Sequence, residues 1–310
     1  MSRTVRCFDR GILMKLYKSD YIMQAVAHGV LAVLTIMSLL PFILLVIASV
    51  TDENVAIKNG FSFFSEKWSS GAYEYLIGEW SQIGHAYLMT IIVTVIGTLL
   101  GLVLSTLLAY GLTRDILGKK LLNFLVIFTM LFNGGIVASY FVWTQYFHIK
   151  NTVWALIFPG LMMNAFNIIL IKNYFKTSIP ESLLESARMD GAGDLKTFLK
   201  IVIPLSKPIL ATIGLMSAIT YWNDWTNGLY YVDDSRFYTL QLVLNKINES
   251  ASFLASNSTQ MSSMLNGTAS IPTTTMRMAI AVVGIIPIIV AYPFFQKYFI
   301  KGITLGAVKG

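Results

Sequence analysis

The stretch Glu185–Pro204, ESARMDGAGDLKTFLKIVIP, carries six charged residues between two long apolar runs of the chain. Two glycines, Gly191 and Gly193, lie where a helix through the stretch would have to break. A compact charged segment in an apolar chain is either a connector lying on the membrane surface or a rigid surface that docks with another protein. The physical chemistry of the segment alone leaves both interpretations open.

Local sequence rules predict two short amphipathic helices in this region, joined by a tight glycine turn. Ser178 and Glu181 have the spacing of a capping box, and Pro180 falls in the first turn. Gly191 is expected to end the first helix as its C′ residue, and Asp194 to cap the second. The predicted apolar faces are Ile179, Leu183, Leu184 and Ala187 in the first helix, and Leu195, Phe198, Leu199 and Val202 in the second.

The composition of the chain predicts an all-α integral membrane protein. Of its 310 residues, 55% are hydrophobic and 13% are charged, and the mean hydropathy is +0.65. A soluble domain cannot expose that much apolar surface to water. The single cysteine, Cys7, excludes a disulfide within the chain and has no second cysteine beside it for a metal site.

Six apolar runs are long enough to be membrane spans, since about 20 residues cross roughly 30 Å of hydrocarbon. They lie at about 29–50, 87–112, 121–144, 153–171, 208–223 and 278–296. The fifth is expected to extend back toward Ile201, with Pro204 at its opening. The chain is therefore divided into an N-terminal interfacial segment, 1–28, and a six-span transmembrane domain, 29–310.

The distribution of basic residues predicts the orientation. Seventeen of the 23 Lys and Arg residues lie before span one, between spans two and three, between spans four and five, or after span six. By the positive-inside rule, both termini and the loop at about 176–204 are cytoplasmic, in a multi-pass protein. The net charge of +7 is explained by this topology and does not indicate nucleic acid.

No Asp, Glu, Lys, Arg or His falls near the middle of any predicted span. Proton-coupled carriers, pumps and membrane-embedded hydrolases usually need such groups at that depth. The string Gly118-Lys119-Lys120 is not a P-loop, because no Ser or Thr follows it and no glycine stands five residues earlier. Energy for any uphill transport must therefore enter from another subunit. Four milder polar residues are expected either to bond between helices or to contact substrate: Asn133, Asn164, Asn167 and Thr220.

The opening stretch resembles the signature loop of binding-protein-dependent ABC importer permeases, which reads Glu-Ala-Ala, three residues, Gly, nine residues, Ile-x-Leu-Pro. Here Glu185-Ser186-Ala187 precedes Gly191, and Ile201-Val202-Ile203-Pro204 follows nine residues later. Ser186 and Ile203 are the two departures, and both are conservative. We call residues 176–204 the signature loop. Asp190-Gly191-Ala192 and the spacing of Pro204, Leu205 and Pro208 are similar to the sugar-import branch, which includes the maltose-importer permeases.

Two further segments extend the resemblance over about residues 25–310. FNGGIVASYFVWTQYFHIKNTVWALIFPG, residues 132–160, looks like spans three and four of permeases for polysaccharide-derived oligosaccharides. That branch often has a proline where this chain has Ala138, which weakens the assignment of substrate. YWNDW, Tyr221–Trp225, resembles the family's Trp-Asn element at the outer end of span five.

The resemblance implies a type I ABC importer fold, with a cytoplasmic coupling helix between spans four and five. It implies a second homologous permease, two ATP-binding cassette subunits that hold ATP and Mg, and an extracellular lipid-anchored solute-binding protein. This chain would itself hold no cofactor, would not be an enzyme, and would lie in a bacterial plasma membrane in contact with lipid. ATPase docking would fall to Glu185, Ser186, Ala187, Arg188, Asp190, Gly191, Ala192 and Phe198.

The outer face offers a second set of candidates, in a long segment at about 223–275. Tyr221, Trp222, Asn223, Asp224 and Trp225 combine aromatic rings with polar groups, which suits sugar contact. An interfacial aromatic belt explains Trp222 and Trp225 equally simply. The Ser/Thr/Asn-rich remainder of the segment is either a linker or, by analogy with the maltose importer, a loop entering the binding protein's cleft.

Three functions stay open at this level. The first is an oligosaccharide importer subunit, and the second is the same architecture serving a non-sugar solute such as a polyamine or phosphate. The third is a membrane scaffold or sensor that binds a cytoplasmic partner without transporting. Substrate-stimulated ATP hydrolysis in a complex distinguishes the transport functions from the scaffold.

Overall fold

The structure is a computed structural model that describes residues 4–78, 80–256 and 273–307. Within those ranges it is built of helices, and its extended structure is one isolated bridge between Thr51 and Trp68. The chain forms two compact units. One comprises 1–74 with 269–282, and the other 75–268 with 283–310.

Fifteen helices are numbered here in chain order within the described residues. They are α1 Thr4–Ser49, α2 Glu53–Asn59, α3 Gly71–Gly78, α4 Trp80–Thr113, α5 Lys119–Leu131, α6 Gly135–Phe141, α7 Trp154–Ile157, α8 Ala165–Ser178, α9 Glu181–Met189, α10 Asp194–Thr197, α11 Ile203–Leu205, α12 Lys207–Trp222, α13 Thr226–Tyr231, α14 Leu240–Ser256 and α15 Thr273–Ala307. Two π-helical turns, Val142–Tyr146 and Phe198–Val202, continue α6 and α10, and a short 3₁₀ turn covers Ser235–Phe237.

Three helical segments are long and apolar enough to cross a membrane by themselves. They are Met23–Ser49, Trp80–Thr113 and Thr274–Pro293, which confirm predicted spans one, two and six. A fourth candidate is the pair Asp194–Leu205 and Lys207–Trp222, which is bent by 79°. The helix turns sharply at Ser206, so the backward extension of span five toward Ile201 is not continuous with α12 and stays a prediction. Pro208 rather than Pro204 lies at the start of α12.

The third predicted span is interrupted in its middle. Helix α5 ends at Leu131, Phe132 is extended, and α6 begins at Gly135 with φ = +80°. The Asn133 side-chain oxygen accepts a hydrogen bond from the Gly135 N–H at 2.9 Å, which satisfies a donor that the break frees. Apolar composition alone does not show such a break, since the residues on both sides remain apolar.

The fourth predicted span is broken in the same way. Helix α7 ends at Ile157, the chain turns through Gly160 at φ = +69°, and α8 begins at Ala165. The Asn164 side chain caps α8 by accepting from the Asn167 N–H at 3.2 Å. The count of six spans thus stays a prediction, because spans three and four are each divided into shorter helices.

Helix α4 is the centre of the larger unit, where α8 and α12 pack against it. Two glycines one turn apart allow this close approach. A Cβ at Gly97 would lie 2.5 Å from the Tyr221 ring, and one at Gly101 would lie 2.8 Å from the Met162 carbonyl oxygen. Gly97 thus allows α12 to pack closely against α4. Gly101, one turn later, does the same for the chain break before α8.

In the smaller unit, Glu53 of α2 caps the first turn of α15. Its carboxylate accepts from the N–H groups of Thr274 and Thr275, each at 2.8 Å, and from the Thr275 hydroxyl at 2.6 Å. Burial alone would raise the pKa of Glu53, but the bonds from Thr275 and Thr274 outweigh it and hold that pKa below its usual value. The carboxylate thereby satisfies orphan donors at the start of the last span.

Candidate functional site

The turn of the signature loop has the geometry that the glycine pattern predicts. Helix α9 ends at Met189, and Gly191 follows in the left-handed region at φ = +73°. The Ala192 N–H donates to the Ala187 carbonyl at 2.9 Å, and the Gly191 N–H to the Arg188 carbonyl at 3.0 Å. These two bonds form a Schellman motif, so the prediction that Gly191 is the C′ residue is confirmed.

The predicted caps of the two short helices are wrong. Ser178 is the last residue of α8 and forms no capping box with Glu181, while Pro180 precedes α9 as its N-cap. Asp194 is the first residue of α10 rather than its cap, and Gly193 occupies the cap position without a side-chain bond. The first error arises because α8 continues to Ser178 and leaves only a short connection before α9. The second is a shift of one residue, since α10 begins at Asp194 itself.

One side of the loop presents the predicted docking residues to the surface. Glu185, Ser186, Arg188 and Asp190 are exposed around α9 and its turn. Sequence reasoning missed Met189, whose side chain is 89% exposed between Arg188 and Asp190. An unbranched apolar side chain at the end of a charged helix is a common contact in protein interfaces, and its position off the predicted apolar face was the available signal.

The other side of the loop is packed into the protein. Phe198 and Val202 are buried in a core that also includes residues of α4, α8 and α12. Ala187 is buried as well. Phe198, predicted as a docking residue, lies with its ring centroid 4.9 Å from that of Tyr110. Ala192 is half-buried beside the turn. The packing of these small and aromatic side chains fixes the position of the exposed residues relative to α4.

The predicted apolar faces are only partly buried. Leu195 and Leu199 are 68% and 56% exposed, and Leu183 is also exposed. Leu195 and Leu199 depart from the prediction because the helix that begins at α10 packs against the core through Phe198 and Val202, on its other side. Apolar side chains left exposed in a membrane protein face either lipid or another subunit.

Polar contacts join the signature loop to the end of α4. Arg114 Nη2 donates to the Tyr110 hydroxyl at 2.5 Å, and its guanidinium carbon lies 4.7 Å from the centroid of that ring. The Tyr110 hydroxyl donates to the Asp194 carbonyl oxygen at 3.3 Å. Since α12 follows the loop directly through the bend at Ser206, the loop is connected to both α4 and α12.

At the C-terminal end of α12, the two largest candidates, Tyr221 and Trp222, are buried and bonded within the protein. The Tyr221 hydroxyl donates to the Ile157 carbonyl at 3.0 Å, and Trp222 Nε1 donates to the Gly284 carbonyl at 3.2 Å. Both residues therefore connect α12 to neighbouring segments of the larger unit. Both side chains are almost completely buried, so they do not form a sugar-binding surface on the outside of the protein.

The three residues that follow are more accessible. Asn223 is exposed and its side-chain amide donates to the Ile219 carbonyl at 3.0 Å, while Trp225 is half-exposed. Asp224 accepts from the N–H groups of Thr226 and Asn227, and burial nevertheless raises its pKa. Asn223 and Trp225 are thus the members of this set that a ligand can reach from the surface.

The intramembrane asparagines have separate local roles. The Asn164 side chain caps α8, and the Asn133 side chain accepts from the Gly135 N–H at the start of α6, as described above. Asn167 Nδ2 lies 3.5 Å from the Ser217 hydroxyl, so it links α8 to α12. The structure therefore does not gather these three side chains into one cluster.

An ionic cluster that the sequence did not single out follows α13. Lys150 pairs with Asp233 at 2.7 Å, and Arg236 with Asp234 at 2.6 Å. Hydrogen bonds with Asp233 and then Tyr140 raise the pKa of Lys150, and the bond from Arg236 lowers the pKa of Asp234. The Lys150–Asp233 pair links the connection between spans three and four to the turn after α13. Within the described ranges, no group of acidic, His or Cys side chains could hold a metal ion.

The helical spans, the glycine-terminated loop and its bend into α12 together define a membrane translocation subunit. The family described as "Binding-protein-dependent transport system inner membrane component" matches residues 101–305, and the chain belongs to this family. As a member, it is a membrane component that translocates a solute and not an enzyme.

Two relatives from Bacillus subtilis (strain 168) are similar over nearly the whole chain. The polygalacturonan/rhamnogalacturonan transport system permease protein YtcP is 39% identical over 91% of this chain and 96% of its own length. Protein LplC is 36% identical over 88% of this chain and 90% of its own length. Their coverage shows that the similarity is not confined to the signature loop.

A solved bacterial ABC transporter involved in the import of the acidic polysaccharide alginate has the same fold. The alignment has a TM-score of 0.73 and 33% identity, and it covers 91% of this chain and 98% of that one. The chain therefore has the type I ABC importer permease fold that its signature loop predicts. Permeases of this fold work with a partner permease, ATPases and a solute-binding protein.

Proposed function

We propose that this chain is one of two unlike permeases of an ATP-driven importer that brings an oligosaccharide into the cytoplasm. The observation that carries the proposal is its similarity, over nearly the whole chain, to YtcP and to the alginate transporter. Both are named for polysaccharide transport, and both names denote acidic polysaccharides. Oligosaccharides that contain uronic acids are accordingly the first substrates to test.

The signature loop supports a specific role in this process. Two ATPase subunits would bind beneath the membrane, and one of them would receive the exposed side of α9 in a groove. Its closure would push on a loop that is packed rigidly onto α4 and continues into α12. A loop with a buried side and a charged exposed side is suited to transmit such a movement.

The remaining partners follow from the proposed direction of transport. A lipid-anchored binding protein would deliver the oligosaccharide to the outer face, near Asn223 and Trp225. Both termini and the signature loop would lie in the cytoplasm of a bacterium, since most of the basic residues are there by the positive-inside rule. The ATPases would hold ATP and Mg, because this chain has no P-loop.

Stimulation of ATP hydrolysis tests the substrate class. The complete transporter is reconstituted in lipid nanodiscs with its binding protein, and hydrolysis is measured with oligogalacturonides, neutral malto-oligosaccharides, a polyamine or no ligand. Oligogalacturonides are expected to stimulate hydrolysis, whereas the polyamine leaves the basal rate unchanged. Stimulation by the polyamine alone would contradict the proposal.

A further inference from the structure

A polar cavity of about 330 Å³ lies between the end of α4, the end of α8 and the start of α9. Its polar lining comes from Tyr110, Thr113, Arg114, Lys176 and Glu181, and the rest of its wall is apolar. The cavity is separate from the exposed side of α9, which is the surface proposed to dock with an ATPase. Its contents would touch both α4 and the signature loop.

The guanidinium of Arg114 is the feature of this cavity that most requires a ligand. Its side chain is only 13% exposed. One nitrogen, Nη2, donates to Tyr110, but Nε is buried and nothing among the described residues accepts a hydrogen bond from it. The Asp194 carboxylate lies 3.9 Å from Nε, which is beyond hydrogen-bond distance. A buried cation with unfilled donors is stabilised by an anion that can accept from several of its N–H groups.

A second cation, Lys176, lines the same cavity, and two further lysines, Lys172 and Lys119, lie outside its lining. Lys176 stands one helical turn after Lys172 on α8, and Lys172 donates to the Asn123 side chain on α5. The Asn123 amide in turn donates to the Lys119 carbonyl, which places the start of α5 in the same group. Three helix ends thus bring Arg114, Lys119, Lys172 and Lys176 to one region.

Two carboxylates of this region, Asp115 and Asp194, face water and do not line the cavity. Asp115 pairs with Lys119 at 3.0 Å and is fully exposed, and the side chain of Asp194 is 74% exposed. A hydrogen bond from Lys119 holds the pKa of Asp115 below its usual value, so Asp115 remains charged but faces water. Glu181 is the one acid in the cavity lining, against Arg114 and Lys176.

The position of the cavity relative to the membrane indicates which class of anion it binds. It lies at the ends of α4 and α8 on the side where basic residues are concentrated, which is the level of lipid headgroups. A phosphate group has enough oxygens to accept from a guanidinium and an ammonium together, and basic pockets between helix ends bind such groups. We propose that the cavity between α4, α8 and α9 binds a phosphate group through Arg114 and Lys176, supplied by an anionic lipid headgroup or by free phosphate.

Direct binding to the full-length chain tests the proposal. The chain is purified in detergent without ATPase subunits, which bind phosphate themselves, and radiolabelled inorganic phosphate is titrated by equilibrium dialysis. Short-chain phosphatidylglycerol or phosphatidylcholine is then added as competitor, or titrated alone. Saturable binding to the wild type is expected. Displacement by phosphatidylglycerol but not phosphatidylcholine identifies the headgroup as the source, and phosphate binding without such displacement identifies free phosphate.

Two variants and a matched control assign the binding to the cavity. Arg114→Gln is expected to raise the Kd about tenfold, and Lys176→Gln about threefold, because each removes one charge-assisted contact. Lys200→Gln removes the same charge from an exposed position of the signature loop and should leave the Kd unchanged. If circular dichroism shows that Arg114→Gln does not fold, the proposal is tested by comparing the Kd of Lys176→Gln with that of Lys200→Gln. Equal affinities of Lys176→Gln and the wild type, or no saturable binding of phosphate and phosphatidylglycerol, would overturn the proposal.

Discussion

The aromatic ring of Tyr221 lies directly against the backbone of Gly97, so close that an added Cβ would stand 2.5 Å from the ring. The same tyrosine donates its hydroxyl proton to the Ile157 carbonyl at 3.0 Å. Tyr221 therefore fixes the outer end of α12 to α4 and to the end of α7 at once. The absence of a side chain at Gly97 is what makes room for this contact.

Replacing Gly97 with alanine should destabilise the protein. The added methyl group would overlap a buried ring, and overpacking of this kind typically costs about 1–3 kcal/mol. The matched control is Gly214→Ala on α12, where a Cβ would meet Leu102 at an ordinary 3.7 Å. Thermal unfolding of the purified transporter should show a lower Tm for Gly97→Ala than for Gly214→Ala. Equal Tm values would mean that the packing of α12 on α4 differs from the one described.

Replacing Gly191 with valine should uncouple ATP hydrolysis from transport. No atom lies within 4 Å of the added Cβ, so the cost comes from the positive φ alone. That conformation costs a β-branched residue about 1–2 kcal/mol, and the strain would displace the exposed side of α9. Uptake and ATP hydrolysis are measured together in proteoliposomes.

Two further substitutions separate the backbone effect from a general effect of bulk. Gly191→Asn should retain more uptake than Gly191→Val, because asparagine tolerates the left-handed region. Gly193→Ala should behave like the wild type, since Gly193 has a negative φ of −67° and its Cβ would also lie in open space. Wild-type coupling in Gly191→Val would show that the shape of this turn is unimportant for transport.

Reversing the charge of Glu185 should weaken association with the ATPase without disturbing the fold. Glu185 is exposed, and isolated surface charges contribute only about 0–1 kcal/mol to stability. A loss of about tenfold in affinity, ~1.4 kcal/mol, is expected for a charge reversal at the interface. Co-purification of titrated ATPase with Glu185→Lys is compared with Glu249→Lys, an exposed reversal on α14. If Glu185→Lys fails to insert or fold, Glu185 is structural and the docking role is wrong.

Removing the charge of Glu53 should lower stability in a pH-dependent manner. The pKa of Glu53 is lowered in the folded protein, so its carboxylate contributes stability above the ordinary glutamate pKa of about 4.5 and loses it as the pH falls through the lowered value. Glu53→Gln should cost about 1 kcal/mol at pH 7, after allowance for partial exposure. The difference in Tm from wild type should shrink below pH 4.5, and the exposed Glu66→Gln should show none. A pH-independent difference would mean that charge is not what Glu53 supplies.

The long spans and the glycine turn of the signature loop depend on single segments and were predictable from the sequence. The length and apolarity of Met23–Ser49 and Trp80–Thr113 predict spans without reference to any neighbour. Gly191 likewise ends a helix by a local rule, and the structure confirms it. The roles of the docking and substrate-contact residues stay predictions, because they depend on partner chains.

Features that depend on a neighbouring segment were not predictable. Gly97 and Gly101 stand one turn apart on α4, but only the positions of Tyr221 and Met162 explain them. The breaks at Phe132 and Gly160 interrupt runs that are apolar on both sides, so hydropathy does not reveal them. Leu195 and Leu199 are exposed because an apolar surface in a membrane protein need not be buried within its own chain.

Uptake by purified components tests the central claim most directly. Proteoliposomes are assembled with this chain, the second permease, the ATPases, ATP and binding protein, and the accumulation of labelled oligogalacturonide is measured. Parallel samples omit the second permease or replace this chain with Gly191→Val. The account predicts ATP-dependent accumulation in the complete sample, little without the second permease, and strongly reduced uptake with Gly191→Val. Full uptake with this chain as the sole permease would contradict the requirement for an unlike partner, and no uptake from the complete set would contradict the proposed transport of acidic oligosaccharides.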